Sequence, residues 1–313
     1  MSRSGRPSDM GHIAVLSNPL SGKGRGQRVA DDALAHLRRC GADVRVYAGR
    51  SAADTRRLAA VALDAAPDGL VVVGGDGTLS GILELVCAAG IPVTVVPAGT
   101  GNDLARALGL PRADVAEAVE LALTGVPRAI DIGEVRTSTG TSLFLTVAAL
   151  GFDARVSDRT NRLRWPSGAL RYYLALLIEL IRLRPLDFTI RADDGPVTPA
   201  RGILVAVGNT ASYGGGMPVC VGAAPDDGAL DVVAVGPLGR LRLVRLFPLL
   251  LRGTHLARRE VRHVRARTVT VAAPGLVAYA DGERVGEDSC TISIRAGALT
   301  VMTRAERRDT HVR

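Results

Sequence analysis

Over the first 130 residues, short apolar runs alternate with longer stretches in which apolar positions recur every three or four residues. The runs at 12–17, 43–47, 70–73 and 92–96 are predicted strands, and 27–39, 52–65, 79–89 and 102–108 are predicted helices. Short β-branched strands, each followed by a helix, predict a parallel sheet covered on both faces. In such sheets ligands bind beyond the carboxyl ends of the strands.

The second half has a different rhythm. Short strands are predicted at 141–150, 186–191, 202–207, 230–235, 261–264, 268–271, 277–280, 291–294 and 299–303, many of them separated by turn residues. This is the pattern of a mostly antiparallel β-sandwich-like domain. Two helical stretches, 168–183 and 238–252, interrupt it. The change falls near Asp131-Ile-Gly133. The expected division is an α/β domain over 11–132, a β-rich domain over 133–303 and a basic tail over 304–313 that frays.

Composition narrows the setting. The most apolar stretch, 172–183, is broken by Glu179 and Arg182 and is shorter than the ~20 residues a membrane span needs. The polar segment 1–9 lacks the apolar centre of a signal peptide. The expected location is therefore the cytoplasm, with peripheral contact at a membrane surface. Cys40, Cys87, Cys220 and Cys290 show no CxxC spacing and read as reduced, mostly buried thiols. The net charge of +8 calls for an acidic partner: nucleic acid, anionic lipid or a phosphorylated substrate. With aromatics at 3%, base stacking is a poor fit, and no nucleic-acid-binding signature stands out. No nucleic-acid partner is expected. A homodimer is left open on base rate alone. Nearly all the basic residues are arginine; the one lysine, Lys23, lies in a glycine-rich loop.

That loop, Asn18-Pro-Leu-Ser-Gly-Lys-Gly24, is one of three. Gly74-Gly-Asp-Gly-Thr78 and Pro97-Ala-Gly-Thr-Gly-Asn-Asp103 also follow a predicted strand and precede a helix. Glycine lets backbone approach a ligand closely, and successive N–H groups before a helix form an anion site. Any one loop could be a plain tight connection; three on one sheet edge are a phosphate-site signal. None matches GxxxxGK[ST] or GxGxxG. Asp76 is either the N-cap of the helix after it or, beside a phosphate, a Mg²⁺ ligand or an acid–base group.

These three loops, in this order and spacing, resemble the diacylglycerol kinase catalytic domain family of soluble bacterial diacylglycerol and lipid kinases, related to sphingosine and ceramide kinases. The resemblance continues through Asp131-Ile-Gly133, Pro225-Asp-Asp-Gly-Ala-Leu-Asp231 and Asp281-Gly-Glu283 and so covers nearly the whole chain. The GGDG loop alone also occurs in NAD kinases and phosphofructokinases.

The resemblance implies an α/β nucleotide-binding domain of the NAD-kinase and diacylglycerol-kinase type, a C-terminal β-sandwich, and an active site in the cleft they form. It implies ATP contacts from Asn18, Pro19, Leu20, Ser21, Gly22, Gly75, Asp76, Gly77, Thr78 and Thr100. It implies Glu283 as the base that takes the acceptor's hydroxyl proton and Asp76 as the group holding Mg²⁺ or the nucleotide, with the reverse assignment open. Lys23, Asn102, Asp103, Asp131 and Asp281 fall at supporting positions, with Lys23 coupled to Asp76 and Asp131. Asp227, with main-chain carbonyls near Ala224 and Ala229, resembles a second, non-catalytic Mg²⁺ site. Read without the family, Lys23 is a solvated loop residue, Asp131 a hinge hydrogen bond, Pro225–Gly228 a turn and Asp281-Gly282 a type I′ hairpin turn.

The chain also departs from the family pattern. Ser80 and Gly81 stand where Asn and Glu are common, with Glu84 one turn later as a partial substitute, and Gly49 stands where a nucleotide-contacting Thr is usual. On the acceptor side, the apolar stretch 162–184 with arginines at both ends reads as an interfacial amphipathic helix or as a helix covering the core. Helix 238–252 and Arg258, Arg259, Arg262, Arg265 and Arg267 could extend a basic face. The implied activity is ATP- and Mg²⁺-dependent phosphorylation of a lipid hydroxyl, most simply diacylglycerol to phosphatidic acid. The alternatives are a sphingoid base, another lipid alcohol or a soluble acceptor as in NAD kinase, or a weakly catalytic, nucleotide-binding regulator at the membrane surface.

Overall fold

The computed structural model describes residues 11–163, 165 and 169–305, with all their side chains except those of Lys23 and residues 169–173. The chain forms two compact units. One runs up to Ile130 and resumes at Ala298; the other is Asp131–Gly297.

In the first unit strands and helices alternate: β1 (Ile13–Ser17), α1 (Ser21–Arg39), β2 (Val44–Ala48), α2 (Ala52–Asp64), β3 (Gly69–Gly74), α3 (Asp76–Ser80), α4 (Leu83–Ala89), β4 (Val93–Pro97), α5 (Asp103–Ala107) and α6 (Val115–Thr124). The strands pair in parallel in the order β2-β1-β3-β4. β1 is buried along its whole length, as a central strand under helices on both faces must be. Ala30, Ala33 and Leu37, spaced along one face of α1, pack with Ala118 and Val119 of α6 on Val15, Val71, Val73 and Val96.

Several elements differ from the sequence prediction. Helix α1 starts at Ser21 rather than at 27, because glycine's weak helical preference makes its first turns read as loop. The helix predicted over 79–89 is two helices, parted at Gly81-Ile82. Helix α6 was not predicted, although Asp114 caps it by accepting the Glu117 N–H at 3.0 Å. The segment 298–303, expected in the second domain, belongs to the first: Val301 pairs in parallel with Val93 and adds a strand beside β4.

β5 (Val126–Thr137) carries the chain into the second unit. There follow β6 (Gly140–Phe144), β7 (Val147–Gly151), α7 (Phe152–Arg162), α8 (Ala169–Ile181), β8 (Leu186–Ala192), β9 (Thr198–Gly202), β10 (Leu204–Gly208), β11 (Leu230–Val235), α9 (Arg240–Leu251), β12 (Val261–Ala266), β13 (Thr268–Ala280) and β14 (Glu283–Thr303). The pairings are antiparallel, in two rows, β12-β11-β10-β7-β13 and β9-β8-β13. β13 serves both rows. Val269–Ala272 pair with β8, Ala278–Ala280 pair with β7, and a register shift separates them, the bend a bulge introduces. Phe144, Leu150, Val205, Val207, Val232 and Val271 share the core, at the alternating positions that face inward along each strand.

Here too the elements are regrouped. The strands predicted at 268–271 and 277–280 are one strand, as are those at 291–294 and 299–303. The strand predicted at 141–150 is interrupted at Leu145-Thr146, whose N–H groups leave the ladder for a carboxylate described below. Helix α7 was not predicted; its sequence is mostly polar, and Ala154 and Val156 are its buried residues. Of the four free cysteines, Cys220 and Cys290 are buried but Cys40 is exposed. Among the described residues, no helix is long and apolar enough to cross a membrane. Of the tail, residues 306–313 lie outside the described residues.

Candidate active site

The carboxyl ends of β1, β3 and β4 each open into one of the glycine loops. Three contacts join the loops pairwise. Gly22, at φ +59°, is so close to the third loop that a Cβ there would stand 2.0 Å from the Ala98 carbonyl oxygen. A Cβ on Gly99 would stand 2.5 Å from Gly75 Cα. Ser21 Oγ and Thr78 Oγ1 are 3.4 Å apart. Only glycine permits the first two approaches.

The Asn18 side chain accepts the Leu20 N–H at 3.1 Å, and its carbonyl accepts the Ser21 N–H at 3.0 Å. Pro19 lies inside this turn and Leu20 is exposed. Gly77 and Thr100 are exposed, and Thr78 is buried. A Cβ on Gly77 would meet nothing within 4 Å. Asn102 takes left-handed backbone angles, φ 54° and ψ 48°, and closes the third loop through two 3.1 Å hydrogen bonds with the Gly99 backbone.

Asp76 holds this arrangement from the second loop. Its carboxylate accepts the N–H of Asp103 at 2.8 Å and of Leu104 at 3.2 Å, satisfying the opening of α5. It thus caps a helix distant in sequence. Asp103 is buried, and its own carboxylate lies 3.7 Å from Arg106 Nε. The Lys23 side chain lies outside the described residues.

The departures from the family pattern have local causes. A Cβ on Gly49 would come 2.1 Å from Thr55 Oγ1, so the buried Thr55 already fills that space. Glu84, the candidate substitute one turn after Ser80, is ion-paired with Arg56 at 2.6 Å; the same guanidinium donates to the Gly81 carbonyl at 3.0 Å.

In the second unit the acidic motifs are largely structural. Buried Asp131 accepts the N–H of Gly228 at 2.7 Å and of Gly297 at 2.8 Å, and its N–H donates to Pro225 O at 2.6 Å. It hangs the Pro225–Gly228 turn on the start of the unit. Asp281 accepts the N–H of Leu145 at 2.7 Å and of Thr146 at 2.9 Å, and the Thr146 hydroxyl at 2.5 Å. Asp281 (φ +47°) and Gly282 (φ +86°) form the two-residue hairpin turn in which Ala280 pairs with Glu283. Glu283 follows directly and is exposed.

Asp227 accepts the Ala229 N–H at 3.1 Å and is ion-paired with Arg265. The Arg265 Nε also lies 3.8 Å from Asp231. A guanidinium therefore already neutralises the carboxylate assigned to the second Mg²⁺ site. A hard cation would need that carboxylate, so the arrangement fits an ion pair and not a metal site.

The sequence reading missed Asn209. Wholly buried after β10, its side-chain amide donates to Asp131 O at 2.8 Å and Leu145 O at 2.9 Å. A polar Asn-Thr pair ending an apolar strand was the available signal. It also missed Asp153, which accepts the Tyr213 hydroxyl. Burial pushes this carboxyl up to about 6, against the opposing effect of that hydrogen bond.

A parallel α/β unit carrying three joined glycine loops, followed by an antiparallel sandwich-like unit, is the architecture this sequence builds. The comparisons name the family. Residues 12–135 match the diacylglycerol kinase catalytic domain, and residues 146–303 match the YegS C-terminal NAD kinase beta sandwich-like domain. A diacylglycerol kinase of Mycobacterium tuberculosis is 42% identical over 298 residues, 95% of this chain and 96% of that protein. A crystal structure of a diacylglycerol kinase from Bacillus anthracis aligns with TM-score 0.69 at 20% identity, covering 95% of this chain and 98% of that one. An NAD kinase from Archaeoglobus fulgidus in complex with ATP aligns with TM-score 0.53 at 15% identity, over 95% and 94%. The chain belongs to the diacylglycerol kinase catalytic domain family of lipid kinases, and it is a kinase.

Proposed function

We propose that this kinase transfers the γ-phosphoryl group of ATP to the free hydroxyl of diacylglycerol, giving phosphatidic acid. The observation that carries the reading is the joining of the three glycine loops at Gly22–Ala98, Gly75–Gly99 and Ser21–Thr78. Phosphoryl transfer asks little covalent chemistry of a protein; it needs positioning and electrostatic stabilisation. Backbone N–H groups in these loops supply donors for phosphate oxygens. The open space over Gly77 leaves room for them.

The 42%-identical relative is named a diacylglycerol kinase, and this supports the acceptor. Glu283, exposed beside the hairpin turn that Asp281 anchors, is assigned the acceptor proton. As the acceptor oxygen bonds to Pγ, the bond to the ADP oxygen breaks and the hydroxyl proton passes to the Glu283 carboxylate. Asp76 fixes α5 against the second loop. It is the residue of the first unit best suited to hold Mg²⁺, which neutralises phosphate charge when bound and needs only one or two protein carboxylates.

The kinase would act at a membrane surface, where its acceptor lies. Transfer of labelled phosphate from ATP in the presence of Mg²⁺ tests this, with diacylglycerol, monoacylglycerol, ceramide and sphingosine in mixed vesicles and NAD as a soluble control. Labelled phosphatidic acid is the expected product; its absence beside another labelled lipid would overturn the acceptor. The second reading, a soluble acceptor, draws on the fold shared with the NAD kinase and requires turnover indifferent to vesicles.

A further inference from the structure

Leu145-Thr146 is the place where the chain leaves one strand pairing for another. Phe144 is the last residue paired with β5, and Val147 is the first paired with β10. The four backbone groups of the dipeptide are answered outside any ladder. Its two N–H groups go to the Asp281 carboxylate, at 2.7 and 2.9 Å. The Leu145 carbonyl accepts the side-chain amide of Asn209 at 2.9 Å. The Thr146 carbonyl accepts the backbone N–H of Asn209 at 2.8 Å and of Thr210 at 3.1 Å. Asp281 therefore holds one edge of the dipeptide, and Asn209 holds the other.

Asn209 is wholly buried, and its amide also reaches Asp131 O at 2.8 Å. Both partners are carbonyl oxygens, so the amide nitrogen must face them. Two N–H donors on one nitrogen at the end of a short side chain are what asparagine supplies and serine, threonine or ionised aspartate cannot. A buried carbonyl left without its donor is costly.

The order imposed on the dipeptide runs on to the acidic hairpin. Asp281 takes its place from the two N–H groups and from the Thr146 hydroxyl at 2.5 Å, and its own N–H donates to Val147 O at 3.3 Å. With Gly282 it turns the chain so that Glu283 stands opposite Ala280. Glu283 is exposed, so the backbone of the turn sets where its carboxylate stands. A general base must lie within hydrogen-bond reach of its proton, and a misplacement of about 1 Å can cost roughly 100-fold in rate.

We propose that Asn209 is a positioning residue for phosphoryl transfer. It clamps the carbonyls of Leu145 and Thr146, so that their N–H groups hold Asp281 and the turn presents the Glu283 carboxylate at a fixed place. The proposal rests on the reading of Glu283 as the base that takes the acceptor proton.

The test is Asn209→Ala, alone and combined with Glu283→Gln, in the full chain with ATP, Mg²⁺ and diacylglycerol in mixed vesicles. Amide hydrogen exchange at Leu145 and Thr146 is followed in the same proteins. Asn209→Ala should speed exchange at both amides about tenfold or more, while the amides of β1 and β3 keep their protection. It should lower kcat roughly 10- to 100-fold. The KM for ATP should stay within about twofold, because the glycine loops belong to the other unit. In the Glu283→Gln background the further loss of kcat should be less than about twofold, since misplacing a base already removed costs nothing more. Should Asn209→Ala fail to fold, Thr146→Val removes one donor to Asp281 and keeps both N–H groups; the same pattern is expected at smaller size.

Wild-type kcat in a folded Asn209→Ala would overturn the proposal. So would losses that multiply with those of Glu283→Gln, the mark of a general structural defect. Full turnover of Glu283→Gln beside fast exchange at Leu145 and Thr146 in Asn209→Ala would defeat the base reading and leave the clamp standing. Unchanged exchange in Asn209→Ala beside an inactive Glu283→Gln would do the reverse.

Discussion

The Asp76 carboxylate receives the backbone N–H of Asp103, at 2.8 Å, across the junction of the second and third glycine loops. One residue thus sets the geometry of a helix start and stands beside the proposed phosphate site. Replacement by Ala strips two N–H groups of their acceptor and should cost about 1–3 kcal/mol. Asp76→Asn keeps one amide oxygen as acceptor and should cost less. Its turnover should still fall about 100-fold or more if the charge serves the metal–phosphate complex. Thermal unfolding and labelled transfer, measured on both variants, separate the two roles.

Gly99→Ala places a methyl 2.5 Å from Gly75 Cα, a distance that forces the loops apart. The parallel sheet beneath should survive, with a stability loss of about 1–3 kcal/mol. ATP affinity by calorimetry should fall about tenfold or more, since 1.4 kcal/mol of lost phosphate contact is a factor of ten.

Asp281 and Glu283 are two residues apart and should fail in opposite ways. Asp281→Ala leaves the Leu145 and Thr146 N–H groups without their acceptor and should destabilise by about 2–4 kcal/mol. Glu283→Gln, at an exposed position, should leave the melting temperature unchanged within about 1 °C while turnover falls about 100-fold or more. An active Glu283→Gln would remove it as the base.

Asp153 gives stability a pH dependence. Its carboxyl lies near 6 when folded, above its ordinary 3.8, so the folded state holds the proton more tightly. The stabilisation is complete below the unfolded pKa and is lost as pH rises through about 6. Asp153→Asn keeps an acceptor for Tyr213 and removes the buried charge. It should raise the melting temperature at about pH 8 and change it little near the acid end.

Arg265 occupies the Asp227 carboxylate that a second Mg²⁺ would need. Arg265→Gln should increase the thermal stabilisation that Mg²⁺ confers, and Asp227→Asn should abolish the increase. Equal Mg²⁺ stabilisation of wild type and Arg265→Gln would mean that the ion pair does not limit binding there.

The parts of the fold that the sequence made legible are those where local pattern and tertiary role agree. The runs of β1, β3 and β4 are buried because they are almost wholly apolar, Ser17 and Thr94 being their polar exceptions, and the glycine loops announce themselves by composition. What stayed hidden depends on partners far along the chain. Leu145-Thr146 interrupts a strand because Asp281, 136 and 135 residues later, takes its N–H groups. The three loops were legible as a set, but not the lock that Asp76 places on α5, since a GGDG loop reads as a cap for its own helix. Helix α7 escaped because its face toward the core is little more than Ala154 and Val156. Asn209 escaped because a buried amide looks, in sequence, like any loop residue.

The return of residues 298–303 to the first unit gives synthesis a timetable. When Ile130 leaves the ribosome, β4 has one neighbour and an open edge; the strand that will cover that edge is made after the whole second unit. An unpaired strand edge is a template for wrong partners. A chain cut after Gly297 should therefore aggregate through its amino-terminal half, although the deleted segment comes from the far end. Fusing 298–305 directly to the first unit should restore its solubility. For this kinase the last-made strand is the closing stitch of the first-made fold.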